Sequence, residues 1–393
     1  MNYEFPRIVH IQQALDAIKG DEDLFYVVEK DGYTVINYKL PCNKTFPPVT
    51  NRNTAIRREL RGIKFDSATG ETISRPYHKF FNAGEREETL LPSIDISKIY
   101  NRLEKLDGSM VHPLRIRGAQ RWATKMGITD TSMQTENWLV ANHYQEIIEF
   151  CNEAMDDGFT PIFEWCSRLN RIVVDYPVDR LVLTAVRHTL DGWYMTYDEM
   201  VVYDAVKEYG IEVVSKNEAP LHSMEEYVNF IYELKSDEMT EGEVLRFSDG
   251  HMVKVKTQDY INLHRTKDKI QRERHFVAIL LAGQLDDLKP FMLAEDLTKA
   301  EAYEIQLNQN ITELCRTLFH EVNAILKVKL PRKDFAINSK APPLIKSIIF
   351  HLWDRDFPLD EMEDEIMNRL REACESEQKF ERVKPLILKG CEW

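Results

Sequence analysis

Lys105-Leu106-Asp107-Gly108-Ser109 is the stretch on which the reading of this 393-residue chain turns. Lysine, spacer, aspartate puts an amine and a carboxylate on one side of an extended segment, and the glycine lets backbone come close to a ligand. Taken alone, the pentapeptide is more often a surface turn, because x-Asp-Gly-x is a common hairpin turn. Its surroundings have to decide. Upstream, Tyr26–Val28, a turn at Asp31-Gly32 and Tyr33–Tyr38 predict a hairpin, and Leu60–Phe65 and Thr72–Arg75 read as strands about a turn at Ala68–Gly70. Ile94–Leu103 leads into the pentapeptide as strand or helix. Downstream, the apolar spacing of Trp138–Met155 predicts one helix stopped by Gly158, and Pro161–Trp165 and Arg180–Val186 read as buried strands. Val244–Phe247 and Met252–Lys256 flank Ser248-Asp249-Gly250 as a second hairpin.

After about residue 262 the strand pattern stops. Thr298-x-x-Glu301 has the form of a capping box ahead of Leu307, Ile311, Leu314, Leu318, Val322 and Ile325, whose spacing of three and four predicts a long helix. Pro342-Pro343 precede an apolar helix over 344–353, and 360–373 predicts another. The expected fold class is therefore α+β: a domain of antiparallel sheets and helices over 1–262, then an all-α domain over 263–393.

Composition narrows the function. The net charge is -14, with -4 of it in 268–393, so the acidity is spread and any polyanion site has to be a local basic cluster. The longest apolar stretch, Phe276–Ala282, is far short of the ~20 residues that a membrane helix needs. No basic, apolar leader opens the sequence, and the six scattered cysteines lack metal-ligand spacing, so the expectation is a cytosolic, reduced protein without a membrane partner.

Four further segments carry charge where chemistry could use it. Lys254 and Lys256 share one face of the strand Met252–Lys256; as an ordinary half-exposed strand they would be solvated, and as a site they would line a phosphate chain. Glu241-Gly242 stands just before that hairpin. Glu164 interrupts an apolar strand, where a carboxylate is costly unless paired or used. Arg61-Gly62, with Arg75-Pro76 and Lys79-Phe80-Phe81-Asn82, groups cations with aromatics.

Each is weak singly, but the order Lys-x-Asp-Gly, strand Glu, Glu-Gly, Lys-x-Lys resembles the covalent nucleotidyltransferases, the superfamily of ATP-dependent ligases and capping enzymes. Glu59–Ile63, Ser74–Pro76, Lys79–Asn82, Lys105–Ser109, Phe163-Glu164, Asn170–Val173, Leu183–Arg187 and Glu241–Lys256 are most similar to the bacteriophage RNA ligase 1 family, the T-even-type tRNA-repair ligases. The resemblance runs across 25–265 and thins to Ala282-Gly283-x-x-Asp286-Asp287-Leu288. Where the family has Lys-Gly-Ser, this chain has Thr124-Lys125-Met126-Gly127; Leu106 and Glu243 also depart from its usual residues.

The resemblance implies an ATP-dependent RNA ligase. Lys105 would be the nucleophile that carries AMP, and Lys254, Lys256 and a bound Mg²⁺ (or Mn²⁺) would favour the neutral amine and stabilise phosphate charge. Glu164 would contact ribose or metal. Glu241 would hold the metal, with Asp286 as a second ligand. Tyr38, Arg61, Lys79 and Lys125 would line the nucleotide and phosphate site, and Asp107 and Gly108 would shape the lysine loop. The implied partner is single-stranded RNA or nicked tRNA, bound by a monomer whose helical domain selects the RNA. Alternatives are a DNA ligase or capping guanylyltransferase, which usually carry a β-barrel after Lys-x-Lys, and a non-catalytic RNA-binding protein, which would be expected to carry more positive charge.

Overall fold

A computed structural model describes residues 4–391 apart from 171, 175, 234–239, 263–271, 286–288, 290–291, 293, 328–330, 340–342 and 354–358. The chain divides into two compact units, Met1–Ile261 and Asn262–Trp393.

The first unit is α+β. Its strands are β1 (Phe25–Lys30), β2 (Tyr33–Tyr38), β3 (Arg61–Asp66), β4 (Thr72–Ser74), β5 (Phe81–Asn82), β6 (Ile99–Lys105), β7 (Ser109–Ile116), β8 (Ala119–Ala123), β9 (Phe159–Cys166), β10 (Arg180–His188), β11 (Lys216–Asn217), β12 (Gly242–Phe247) and β13 (Met252–Lys256). They form three sheets, ordered β1-β2-β3-β4, β10-β9-β7-β8 and β11-β6-β12-β13-β5. All pairings are antiparallel except β13 with β5.

Burial accounts for Val35-Ile36 of β2 and for Ile63 and Phe65 of β3. Ile36, Ile63 and Phe65 pack on one side with Ile56 and Leu60. Tyr33 and Val35 pack on the other with Leu114, Ile116 and Ala123. A strand covered on both faces loses the polar alternation of a half-exposed one. The middle sheet buries Phe163 and Trp165 against Phe150, Cys151 and Leu139. Each such aromatic contributes about 2–3 kcal/mol on leaving water.

Two expectations need correction. The single helix over Trp138–Met155 is two, Asp130–Ala141 and Gln145–Asp156. His143 between them takes a left-handed φ of 57°, and Asn142 Nδ2 caps the Trp138 carbonyl at 2.8 Å. Apolar spacing survives the break because Trp138 and Tyr144 pack across it, their ring centroids 4.6 Å apart. In the second unit, Thr298 does not start its helix, which runs Ala294–Lys327. Asp296 stands in its first turn, where a helix N-terminus favours negative charge.

The described part of the second unit is helical: Glu273–Leu281, Ala294–Lys327, Arg332–Asn338, Pro343–Leu352, Leu359–Ala373 and Glu377–Ile387. Phe276, Leu307, Leu318, Ile348, Ile366, Leu370 and Phe380 form its core. Among the described residues no helix is long and apolar enough to cross a membrane.

Candidate active site

Strand register assembles the site. Gly242 of β12 lies between Lys105 of β6 and Lys256 of β13 in one row, and Val244 lies between Leu103 and Lys254 in the next. Directly opposed residues of antiparallel strands put their side chains on the same face. Lys105, Lys254 and Lys256 therefore share one face, although they stand about 150 positions apart in sequence. Gly242 keeps the middle of the row empty. Its φ is +139°, and a Cβ there would meet the Val255 carbonyl oxygen at 2.1 Å.

Glu241 closes the row. Its Oε2 is 2.5 Å from the Lys105 ammonium and its Oε1 is 2.9 Å from that of Lys256. The carboxylate is buried, with 4% of its side chain exposed against 18% for Lys105. Lys254 is held well below the ordinary lysine value by burial and then by Lys79, Lys105, Arg61 and Lys256. Those cations are gathered around it. Burial also brings Lys79 down to about 8, and Arg61, Arg86 and Lys125 push it the same way against the pull of Glu85.

Tyr38, at the end of β2, faces this group. The Lys79 and Lys125 ammoniums each lie 5.6 Å from its ring centroid. Arg61 opens β3 opposite Asn37, and its Nη1 donates to the Met110 sulfur at 3.2 Å. Met110 in turn pairs with Glu164 of β9. Burial raises the Glu164 carboxyl to about 7; Lys105 and Arg61 oppose the shift, and Glu241 and Asp107 add to it. A cation bound beside a carboxyl raised by burial would return it to its charged form. Among the described residues, no group of three or more acidic, histidine or cysteine side chains is gathered to hold a metal.

In the pentapeptide loop Asp107 is buried and fully engaged in hydrogen bonds. Its Oδ2 accepts from the Val173 and Val174 amides at 2.7 and 2.6 Å, and its Oδ1 accepts from the Tyr260 hydroxyl at 2.7 Å. Gly108 also packs tightly on a neighbouring strand: a Cβ would lie 2.4 Å from the Trp165 carbonyl oxygen. The loop is thereby clamped to β9 and to the segment after β13. Arg75, grouped in sequence with the cleft cations, is a core residue. Its Nε is 3.0 Å from Glu59 Oε2, which Arg187 Nη2 also reaches at 2.7 Å, all three side chains fully buried. Asp286 lies outside the described residues, as does Arg171.

Two residues escaped the sequence reading. Tyr260 touches Asp107, and its ring carries the Lys256 ammonium 4.9 Å from the centroid. Its position four residues after Lys256 was the available signal. Glu85 accepts from Asn82 N and Nδ2 at 2.9 and 2.6 Å, and its charge faces Lys79 and Lys254. A glutamate in a turn gave no such signal.

Comparison with known proteins finds relatives of this chain. A family profile described as RNA ligase, of the T4 RNA ligase 1 type, matches residues 59–260, just over half of the chain. A protein of Thermovibrio ammonificans named "Putative RNA ligase" is 33% identical over 187 residues, 48% of this chain and 47% of that protein. A "Putative bifunctional polynucleotide kinase/RNA ligase" of Autographa californica nuclear polyhedrosis virus is 23% identical over 253 residues, 58% of this chain and 34% of that protein. The match thus spans less than half the length of these relatives. Among solved structures, a Naegleria gruberi RNA ligase variant with ATP and Mn aligns with a TM-score of 0.38 and 18% identity, over 46% of this chain and 56% of that one. The profile's span holds Arg61, Lys79, Lys105, Lys125, Glu164, Glu241, Lys254 and Lys256 in order, and by that match the chain belongs to the RNA ligase family of the T4 RNA ligase 1 type.

Proposed function

We propose that this chain is an ATP-dependent RNA ligase that joins 5′-phosphate to 3′-hydroxyl ends of single-stranded RNA, with the broken anticodon loop of a tRNA as its repair substrate. The observation that carries the reading is the row Lys105–Gly242–Lys256, which sets one amine among cations at the edge of a cleft.

The Lys105 nitrogen attacks the α-phosphorus of ATP. A P–N bond forms, the bond to the bridging oxygen breaks, pyrophosphate leaves and the amine gives up a proton. Glu241, whose Oε2 lies 2.5 Å from the nitrogen, accepts that proton. AMP then passes to the RNA 5′-phosphate, and a 3′-hydroxyl displaces it. Each step is an in-line displacement, so the protein's work is alignment and neutralisation of charge. Lys254, Lys256, Lys79, Arg61 and Lys125 supply the positive field, Tyr38 a wall, and Asp107 and Gly108 the rigid loop. A divalent ion, Mg²⁺ or Mn²⁺, would be held by Glu164 with Glu241 and would add charge neutralisation at the phosphates.

Incubation with α-labelled ATP and a divalent ion, without RNA, is expected to label the protein, and Lys105→Ala to abolish the label. Absence of a label on the folded wild-type protein favours a non-catalytic RNA-binding protein. A label from GTP but not ATP favours a capping enzyme, and preferential sealing of nicked duplex DNA favours a DNA ligase.

A further inference from the structure

A run of buried polar side chains in the first unit takes no part in the steps above. Lys64 of β3 is completely buried. Its nitrogen lies 2.6 Å from His112 Nε2 and 2.6 Å from the Thr124 carbonyl oxygen. His112, equally buried on β7, places Nδ1 2.7 Å from the Ser74 hydroxyl on β4. Burial holds Lys64 and His112 well below their ordinary values; Arg61 adds to the first shift and Lys64 to the second.

A lysine in such a place is costly, and a leucine or methionine would fill the volume without the cost. What the amine reaches is the start of a particular turn. Thr124 and Gly127 close that turn through Thr124 N to Gly127 O at 2.9 Å and Gly127 N to Thr124 O at 3.1 Å. The turn carries Lys125. Strand β3 grips it a second time, since a Cβ on Gly62 would lie 2.5 Å from the Lys125 Cα. Gly62 fits against the turn's backbone while Lys64 holds its first carbonyl from beneath. Asn37 completes the grip from β2, with Nδ2 2.9 Å from the Met126 sulfur.

We infer that Lys64, oriented by His112 and Ser74, is a positioning residue for Lys125: it pins the Thr124 carbonyl so that the Lys125 ammonium is held in the cleft beside Tyr38 and Lys79. The inference rests on the reading of Lys125 as a phosphate-binding residue of the adenylylation step.

Lys64→Met keeps the chain length and removes the amine, and the full-length protein serves for every measurement. Hydrogen exchange at the Gly127 amide, which bonds the pinned carbonyl, is expected to quicken by about tenfold or more. Labelling by α-labelled ATP is expected to slow by about tenfold, and in a Lys125→Ala background the same change is expected to cost less than about twofold. Unchanged exchange at Gly127 overturns the inference. So does a loss as large in the Lys125→Ala background as in the wild type, because Lys64 would then act through something else. Failure of the underlying reading looks different: Lys125→Ala alone would label at the full rate while Gly127 exchange still quickened in Lys64→Met. Should Lys64→Met fail to fold, Ser74→Ala, which deletes only the far end of the run, takes the same measurements with the same expected directions.

Discussion

Glu164 and Asp107 are both carboxylates of the cleft region, and their surroundings give them opposite employment. Asp107 accepts three hydrogen bonds, two from backbone amides and one from Tyr260, and so serves as a brace. For Glu164, burial outweighs the nearby Lys105 and Arg61 and lifts its carboxyl to about 7 from an ordinary 4.5. The folded protein therefore binds this proton more tightly than the unfolded chain. Stability from this group is present below about 4.5 and is lost as pH rises through about 7. Glu164→Gln is expected to raise the melting temperature relative to wild type at pH 8 and to leave it little changed at pH 5. In labelling assays, the wild type is expected to gain activity as pH rises through about 7, and Glu164→Gln to lose that limb. Equal melting differences at the two pH values would remove the argument. At this scale the sequence told residue type well and employment poorly: an Asp two residues from a Lys looks the same whether it faces the amine or braces a loop.

At the scale of elements, the site is a property of register. Lys105 ends β6 and Lys256 ends β13, and only the intervening strand β12 brings them level across Gly242. Gly242→Ala puts a methyl 2.1 Å from the Val255 carbonyl oxygen at a φ that other residues rarely adopt. It is expected to cost about 1–3 kcal/mol in urea denaturation and to abolish most labelling, because β13 has to move and takes both lysines with it. A variant as stable and as active as the wild type would show that the row tolerates slippage. Local pattern identified the hairpin β12–β13 and the lysine-bearing strand, because period two is written into Met252–Lys256. It did not identify the break at His143, because the apolar stripe of Trp138–Met155 continues through two helices that share one core. Nor did it separate Arg75 from Arg61: an arginine beside aromatics is compatible with a cleft and with a buried pair to Glu59.

For the whole molecule, net charge and local charge point in opposite directions. The chain is acidic by 14 charges, yet Lys79, Lys105, Arg61 and Lys256 gather around Lys254 in the first unit, and Arg86 and Lys125 join them at Lys79. Each compact unit has its own core, the first from sheets and the second from helices. Residues 1–262 alone are expected to fold and to form the labelled adduct at a rate within about threefold of the full chain, while the choice among RNA substrates changes. A folded fragment that does not label would assign the second unit a part in the first chemical step. By itself the sequence determined the α+β class, the helical last third and the ordered set of charged residues, because periodicity and residue type are local properties that survive without a fold. Only the tertiary structure decided that Lys105 meets Glu241, that Asp107 is bound to Tyr260 and that Lys64 lies beneath the Lys125 turn. Each of those pairings joins residues 60 or more positions apart, and strand register and packing, which no local stretch encodes, set the distances.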